Sequence, residues 1–136
     1  MSYGASSALQ VAVYQLLTAD VALTALVGSA IHDEVPPGPV SGTFISLGEG
    51  EVRDLSDVTG GLAEHRFDVA VISDAEGFQT AKAVAEAVSD ALVDAAPVMS
   101  RGRVVNLSFV KARARRVRAG QTRRIDMTFR AIVEDN

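Results

Sequence analysis

The opening stretch of the chain repeats apolar residues at the spacing of an amphipathic helix. This stripe consists of Leu9, Val13, Leu16 and Leu17. Two serines precede it, and serine favours the start of a helix because its hydroxyl accepts a hydrogen bond from a free backbone N–H. We predict a helix over residues 7–18, followed by a short helix over residues 21–26 that Asp20 caps and Gly28 ends.

The next apolar runs have the character of β-strands. Residues 31–35 predict a short extended segment, and the proline-rich run at 36–39 excludes a helix or a central strand directly after it. Residues 43–47 predict a strand buried on both faces. Residues 65–73 alternate between apolar and polar positions and predict a half-buried strand. Its apolar face carries Phe67, Val69 and Val71.

Residues 48–61 contain glycines and charged residues and few apolar positions, which predicts a long solvated loop. We name it the acidic loop because of Glu49, Glu51, Asp54 and Asp57. After the strand at 65–73, a long helix is predicted over residues 75–95, capped by Ser73 or Asp74. Its apolar stripe is Phe78, Ala81, Ala85, Val88 and Leu92. This stripe indicates a helix that packs on a sheet.

The last third predicts two long strands, residues 104–117 and 122–133, joined by a turn at Gly120. In a strictly alternating first strand, the apolar stripe is followed by basic residues on the same face. The stripe is Leu107 and Phe109, and the basic residues are Lys111, Arg113 and Arg115. We therefore expect this hairpin to leave the core as it approaches its turn. Residues 113–124 are called the basic ribbon.

The order of elements is helix, short helix, three strands, helix, two strands. This order predicts an α+β fold, with a mostly antiparallel sheet of four to five strands and helices packed on one face. A length of 136 residues with 48% hydrophobic residues corresponds to a single domain, residues 1–136, with a core that needs no metal or disulfide.

Charge is divided unequally along the chain. Residues 1–100 hold 3 basic and 14 acidic side chains, a net charge of −11, whereas residues 101–136 hold 10 basic and 3 acidic ones, a net charge of +7. Such a division favours an interaction protein whose partner is a polyanion or the acidic part of another copy. The candidate contact residues of the basic ribbon are Arg113, Arg115, Arg116, Arg118, Arg123 and Arg124. Those of the acidic loop are Glu49, Glu51, Asp54 and Asp57.

Composition narrows the setting in which the protein works. The chain has no cysteine, which excludes disulfides and thiol chemistry. Residues 1–7 lack the pattern of a signal peptide, and no apolar run reaches the ~18 residues that a membrane span needs. We expect a soluble protein made in the cytoplasm, without a membrane partner. Aromatic residues make up only 5%, which argues against a surface that stacks the bases of single-stranded nucleic acid.

Candidate catalytic and cofactor sites find no support in the sequence. His32 lies beside Asp33 and Glu34, but neighbouring residues of a strand point to opposite faces, so they do not converge on a metal. His65 is the second of only two histidines. The serines lack the motifs of nucleophiles, and the glycines lack the phosphate-binding patterns that open a helix. We expect no enzyme activity, no catalytic residue, no cofactor and no metal.

The basic ribbon has a functional interpretation and a structural one. It either contacts DNA or an acidic protein surface, or it is a solvated hairpin that protects a sheet edge from aggregation. Seven basic residues within fourteen positions exceed what edge protection needs. Because no recognition helix carries the charge, any contact with DNA would be nonspecific. A nonspecific nucleic-acid-binding module is therefore the alternative function.

Several stretches, in their order and spacing, resemble the tail-completion or tail-terminator proteins of long-tailed phages, prophages and gene transfer agents. The resemblance covers nearly the whole chain. Its segments are residues 9–17 and 19–23, residues 31–36, residues 44–48, residues 64–67, the helix start at 77–87, and residues 122–131.

The resemblance implies a ring, usually of six copies, that caps the head-proximal end of a tail tube. Such a ring stops tube polymerisation and offers the surface on which the head connector docks. The implied partners are other copies of the chain, the tail tube protein, the head-tail connector or stopper protein, and DNA that passes through the channel. The implied location is the host cytoplasm during assembly and then the tail or neck of the particle. A different head-tail joining protein is the second alternative.

Overall fold

The computed structural model describes residues 3–33, 41–55, 61–117 and 121–135. In chain order the elements are α1 (Ser6–Ala19), α2 (Val21–Val27), β1 (Ile31–His32), β2 (Thr43–Asp54), β3 (Leu62–Ser73), α3 (Gln79–Leu92), β4 (Arg103–Val117) and β5 (Thr122–Glu134). The predicted order of elements is confirmed.

The five strands form one sheet in the order β1-β2-β3-β5-β4. β2, β3, β5 and β4 pair antiparallel with their neighbours, and the short β1 pairs parallel with the start of β2. The predicted α+β class with a mostly antiparallel sheet is therefore confirmed. β2 and β4 lie three strand spacings apart, about 14 Å, and two strands separate them.

The helices cover one face of the sheet, which we call the inner face. Alternate residues of β5 are buried in the main core cluster together with residues of all three helices. These β5 residues are Ile125, Met127, Phe129, Ala131 and Val133. The residues between them point to the opposite, outer face and are mostly half-exposed and polar. The two-residue period of a strand thus separates core side chains from the charged ones.

The first two helices follow their local sequence signals. The side chain of Asp20 accepts a hydrogen bond from the backbone N–H of Leu23 at 2.8 Å, which is the predicted cap of α2. Gly28 ends this helix with φ of 61°, a conformation that glycine adopts at little cost. Both predicted helices are confirmed.

The predicted cap of the long helix is wrong. α3 begins at Gln79 with Phe78 at the cap position, and neither Ser73 nor Asp74 caps it. Asp74 instead accepts a hydrogen bond from the backbone N–H of Gly42 at 2.8 Å. The polar residues after β3 therefore hold the start of β2 in place, and the helix starts later.

The predicted acidic loop, residues 48–61, is wrong over its first half. β2 continues to Asp54, so Glu49, Glu51 and Asp54 belong to a strand that pairs with β3. The sequence pattern misses this part because its stability comes from backbone pairing with β3, while its side chains stay exposed. A bulge between Leu47 and Gly50 interrupts the alternation as well. Asp57 lies outside the described residues.

The basic ribbon does not leave the sheet. β4 pairs with β5 as far as Val117, and β5 pairs with β3 as far as Arg123. A bulge between Phe109 and Lys111 adds one residue, which reverses the faces of all residues after it. The inner face therefore continues from Phe109 through Ala112 and Ala114, and Lys111, Arg113 and Arg115 lie on the outer face. The prediction that the apolar stripe becomes basic is wrong for this reason.

Candidate assembly surface

The outer face of the sheet carries charged side chains from four strands. The strand registers arrange them in rows across the sheet, because residues that pair directly lie side by side on one face. One row joins Glu51, Arg66, Arg130 and Ser108, and the next joins Asp68, Thr128 and Lys111. A third joins Asp126 and Arg113. Acidic and basic residues are interleaved, so the face as a whole is not a simple basic patch.

The charged side chains in the middle of this face are paired with one another. Arg66 and Arg130 lie directly opposite each other on β3 and β5, an arrangement that repels. Glu64 accepts a hydrogen bond from each, at 2.9 Å from Arg66 and 2.5 Å from Arg130. The hydrogen bond from Arg130 lowers the pKa of the Glu64 carboxyl below its ordinary value of 4.5; burial opposes this effect and Arg66 adds to it. Glu64 is therefore ionised at neutral pH and holds the two arginines together.

Replacing Glu64 with glutamine is expected to lower the free energy of unfolding at pH 7 by about 1–2 kcal/mol. Because the pKa of Glu64 is lowered in the folded state, its contribution is complete above about pH 5 and is lost as the pH falls through the folded-state pKa below 4.5. Urea unfolding of both proteins between pH 7 and pH 3 checks this. A difference in stability that stays constant over that range would contradict the assignment.

Two more carboxylates accept hydrogen bonds in this central region. Asp126 accepts from Arg124 at 2.9 Å and from Arg115 at 3.2 Å. Asp68 accepts from the hydroxyl of Thr128 at 2.8 Å. Two of the predicted contact residues, Arg115 and Arg124, therefore already have partners within the chain.

The charges at the two edges of the same face differ from those at its centre. Within the described residues, Lys111 and Arg113 on β4 are exposed and have no acidic partner. Glu49 and Glu51 on β2 are likewise exposed and have no basic partner among the described residues. The sheet order places these groups on strands at opposite edges of the sheet, and both groups line one concavity of its outer face. The free positive and negative charges thus border this concavity from its two sides.

The structure does not bring all predicted contact residues together. Arg116 and Arg123 pair with each other in register at the end of the hairpin, on the inner face. The guanidinium of Arg116 lies 5.4 Å from the centre of the Phe78 ring, a cation–π contact. Arg118 lies outside the described residues. The predicted basic surface is thereby divided between the two faces of the sheet.

An apolar feature beside the β4 edge has no counterpart in the sequence prediction. The rings of Phe67, Phe129 and Phe109 follow one another across the inner face, with centroids 5.8 and 5.9 Å apart. Phe109, on the edge strand, is 45% exposed. At the other end of this row Gly50 pairs with Phe67 and borders a pocket of about 100 Å³ between α1 and β2. Finding this feature from the sequence requires two predictions: that Phe109 lies on an edge strand, and that a bulge follows it.

His65 lies at the wall of the same pocket and is only 3% exposed. Its Nε2 atom has no hydrogen-bond partner among the residues that the structure describes. Burial lowers the pKa of His65 below its ordinary value of 6.5. The imidazole is therefore neutral in the folded protein at neutral pH.

Replacing His65 with leucine is expected to make the protein less sensitive to mild acid. Because its folded-state pKa is lowered, the wild type loses stability as the pH falls below 6.5, by at most about 1.4 kcal/mol per pH unit. The leucine variant lacks this loss between pH 6.5 and 5, where Glu64 is still ionised. Thermal unfolding of both proteins at these pH values measures the loss of stability. If the stabilities of the two proteins fall equally with pH, the interpretation is refuted.

No group of three or more histidine, aspartate or glutamate residues that could hold a metal occurs among the described residues. His32 instead stacks obliquely on Phe44, with ring centroids 5.9 Å apart. Among the described helices, none alone is long and apolar enough to cross a membrane; α1 and α2 together meet the criteria of length and composition, but they are bent by 76°.

Comparison with known proteins identifies the family. Residues 11–134 match the family described as tail completion protein gp17. A chain in the solved structure entitled "Virion of native gene transfer agent (GTA) particle" is 59% identical, with a TM-score of 0.91, over 98% of this chain and 99% of that one. No curated protein matches at a significant level. The chain therefore belongs to the tail completion protein gp17 family, and its role is a structural one in a phage-like tail.

Proposed function

We propose that this chain forms a ring of six copies that caps the head-proximal end of the tail tube in a gene-transfer-agent-like particle. The observation that carries the proposal is the 59% identity, over 98% of the chain, to a chain of a gene transfer agent virion. The ring stops tube polymerisation and presents a surface to the head connector or stopper protein. Assembly takes place in the host cytoplasm before the ring joins the neck of the particle.

The separation of charges in the folded chain supports a ring. In a closed ring each copy contacts its two neighbours through two different patches, head to tail. Lys111 and Arg113 at one edge of the sheet, and Glu49 and Glu51 at the other, provide two patches of opposite sign.

Mixing the purified chain with the tube protein of its particle is the direct test. We expect tubes with a ring at one end and a narrow length distribution in negative-stain images, and six-copy rings in native mass spectra. A control mixture without the chain should give longer tubes of variable length. A chain that stays monomeric at all concentrations, and that neither binds nor shortens tubes, would refute the proposal.

Nonspecific binding of DNA is the second candidate function, supported by the free charges of Lys111 and Arg113. Because Arg115 and Arg124 are paired with Asp126, only about two phosphate contacts per copy are expected from the outer face. The affinity of the monomer for duplex DNA should then fall about tenfold between 50 and 200 mM salt. Fluorescence anisotropy measures this slope. A fall of a thousandfold or more would instead indicate that the whole basic ribbon binds DNA.

A further inference from the structure

We infer that neighbouring copies in the ring join their sheets, so that β4 of one copy, from Ser108 onward, pairs antiparallel with residues 47–51 of β2 in the next. This inference rests on the proposed ring and specifies its interface. The occupant of each free strand edge is a second copy of this chain. Backbone pairing of this kind gives affinity, while the side chains on the two faces give the register.

Both strands have a free edge of sufficient length. β4 is the last strand of the sheet. On its outer side Leu107 accepts a backbone hydrogen bond from Asp94 at 2.9 Å, and from Ser108 to Val117 nothing among the described residues pairs with that side. β1 covers β2 only at Ile45 and Ser46, which leaves the outer side of residues 47–54 without a described partner. Unpaired strand edges of this length attract other strands unless something covers them.

The strand directions agree with a head-to-tail arrangement. The antiparallel pairs β2-β3, β3-β5 and β5-β4 make β2 and β4 run in opposite directions. When the sheet of one copy continues into the next around a ring, β4 therefore meets β2 antiparallel. No copy needs to turn over, so the same contact repeats until the ring closes.

The inner face sets the register. Phe109, Phe129, Phe67 and Gly50 already lie in one row across the sheet. Continuing the row into the next copy places the exposed Phe109 ring beside the neighbour's Gly50, which lines the pocket between α1 and β2. The half-exposed ring is then covered by apolar residues, which is the arrangement typical of an interface anchor.

The outer face is compatible with this register. It places Lys111 beside Glu49 of the next copy, and Ser108 beside Glu51. The alternative, β4 paired with β4 of a second copy, would bring two sets of basic residues together.

Cysteine cross-linking tests the contact directly, because the chain has no cysteine of its own. Glu49→Cys and Lys111→Cys in one chain lie on opposite edges of the sheet, about three strand spacings or 14 Å apart, too far for a disulfide within the chain. Mild oxidation of the purified chain, alone and with tube protein, should yield a ladder of oligomers that ends at the closed ring. The matched control pairs Glu49→Cys with Thr18→Cys, an exposed position on α1, and should give no ladder.

Charge exchange provides an independent test. Lys111→Glu or Glu49→Lys alone should weaken ring formation by about tenfold, because each places like charges side by side. The double variant should restore it, since the exchanged charges again pair between copies. Circular dichroism should show unchanged folding for all three, as both residues are exposed and have no described partner.

The combined results of these experiments distinguish an error in the proposed interface from an error in the proposed function. Cross-linked ladders together with rescue by the double variant support strand pairing. Rings that form in electron micrographs without cross-links and without rescue overturn this interface, while the tail-capping function stands. Absence of rings and of tube capping in the wild type overturns both.

Discussion

Replacing Phe129 with alanine is expected to lower the free energy of unfolding by about 3–5 kcal/mol, the usual cost of removing a buried aromatic ring. Phe129 has 0% exposure and is the largest fully buried side chain of the described core. Its ring contacts both Phe67 and Phe109 and joins the central strand β5 to its two neighbours. The surrounding strands are fixed by backbone pairing, so they cannot collapse into the cavity.

Urea unfolding measures this loss as a fall of roughly 2 M in the midpoint, for a slope typical of a small domain. Phe109→Ala is the matched control, because it removes the same ring from the same row. Its loss should stay below about 1.5 kcal/mol, since almost half of the ring is already in water. Equal losses of unfolding free energy in the two variants would contradict the assignment of Phe129 as the buried centre of the row.

The elements that the sequence predicted correctly are those with local signals. α1 and α2 have an apolar stripe, a cap at Asp20 and a stop at Gly28, all within a few residues of one another. β3 has a clean two-residue alternation because it lies in the middle of the sheet, with the helices on one face and charges on the other. Local pattern and tertiary environment agree in these places.

The errors occur where pairing with another strand replaces side-chain burial. The second half of β2 is a strand because β3 pairs with it, although residues such as Glu49 and Glu51 remain exposed. In β4, the bulge after Phe109 reverses the faces, and no local residue marks it. A charged or glycine-rich segment at the edge of a sheet therefore resembles a loop in the sequence.

The candidate surface depends on sheet order, which the sequence does not reveal. The ten basic residues of the last 36 positions show that this part of the chain has a net positive charge. Which of them are free follows only from the placement of β5 between β3 and β4, where Asp126 meets Arg115 and Arg124. The remaining charges, Lys111 and Arg113, form a smaller patch at one edge, with Glu49 and Glu51 at the other.

Replacing Phe109 with aspartate is expected to weaken self-association of the chain by about a hundredfold or more, with little effect on its folding. In the proposed interface the ring enters an apolar environment beside Gly50 of the next copy. An aspartate there would be buried without a partner charge, which costs far more than the loss of the ring contacts alone. In the isolated chain the same position is 45% exposed, so a carboxylate stays hydrated.

Val11→Asp is the matched control for this prediction. Val11 is 52% exposed, and it lies on the side of α1 opposite to Leu9 and Val13, which line the pocket. Analytical ultracentrifugation across a range of concentrations, with and without tube protein, compares the two variants with the wild type. If both variants assemble as the wild type does, Phe109 lies outside the interface. If both fail, the loss reflects a general effect of added negative charge. Failure of Phe109→Asp alone places the β4 edge at the contact between copies.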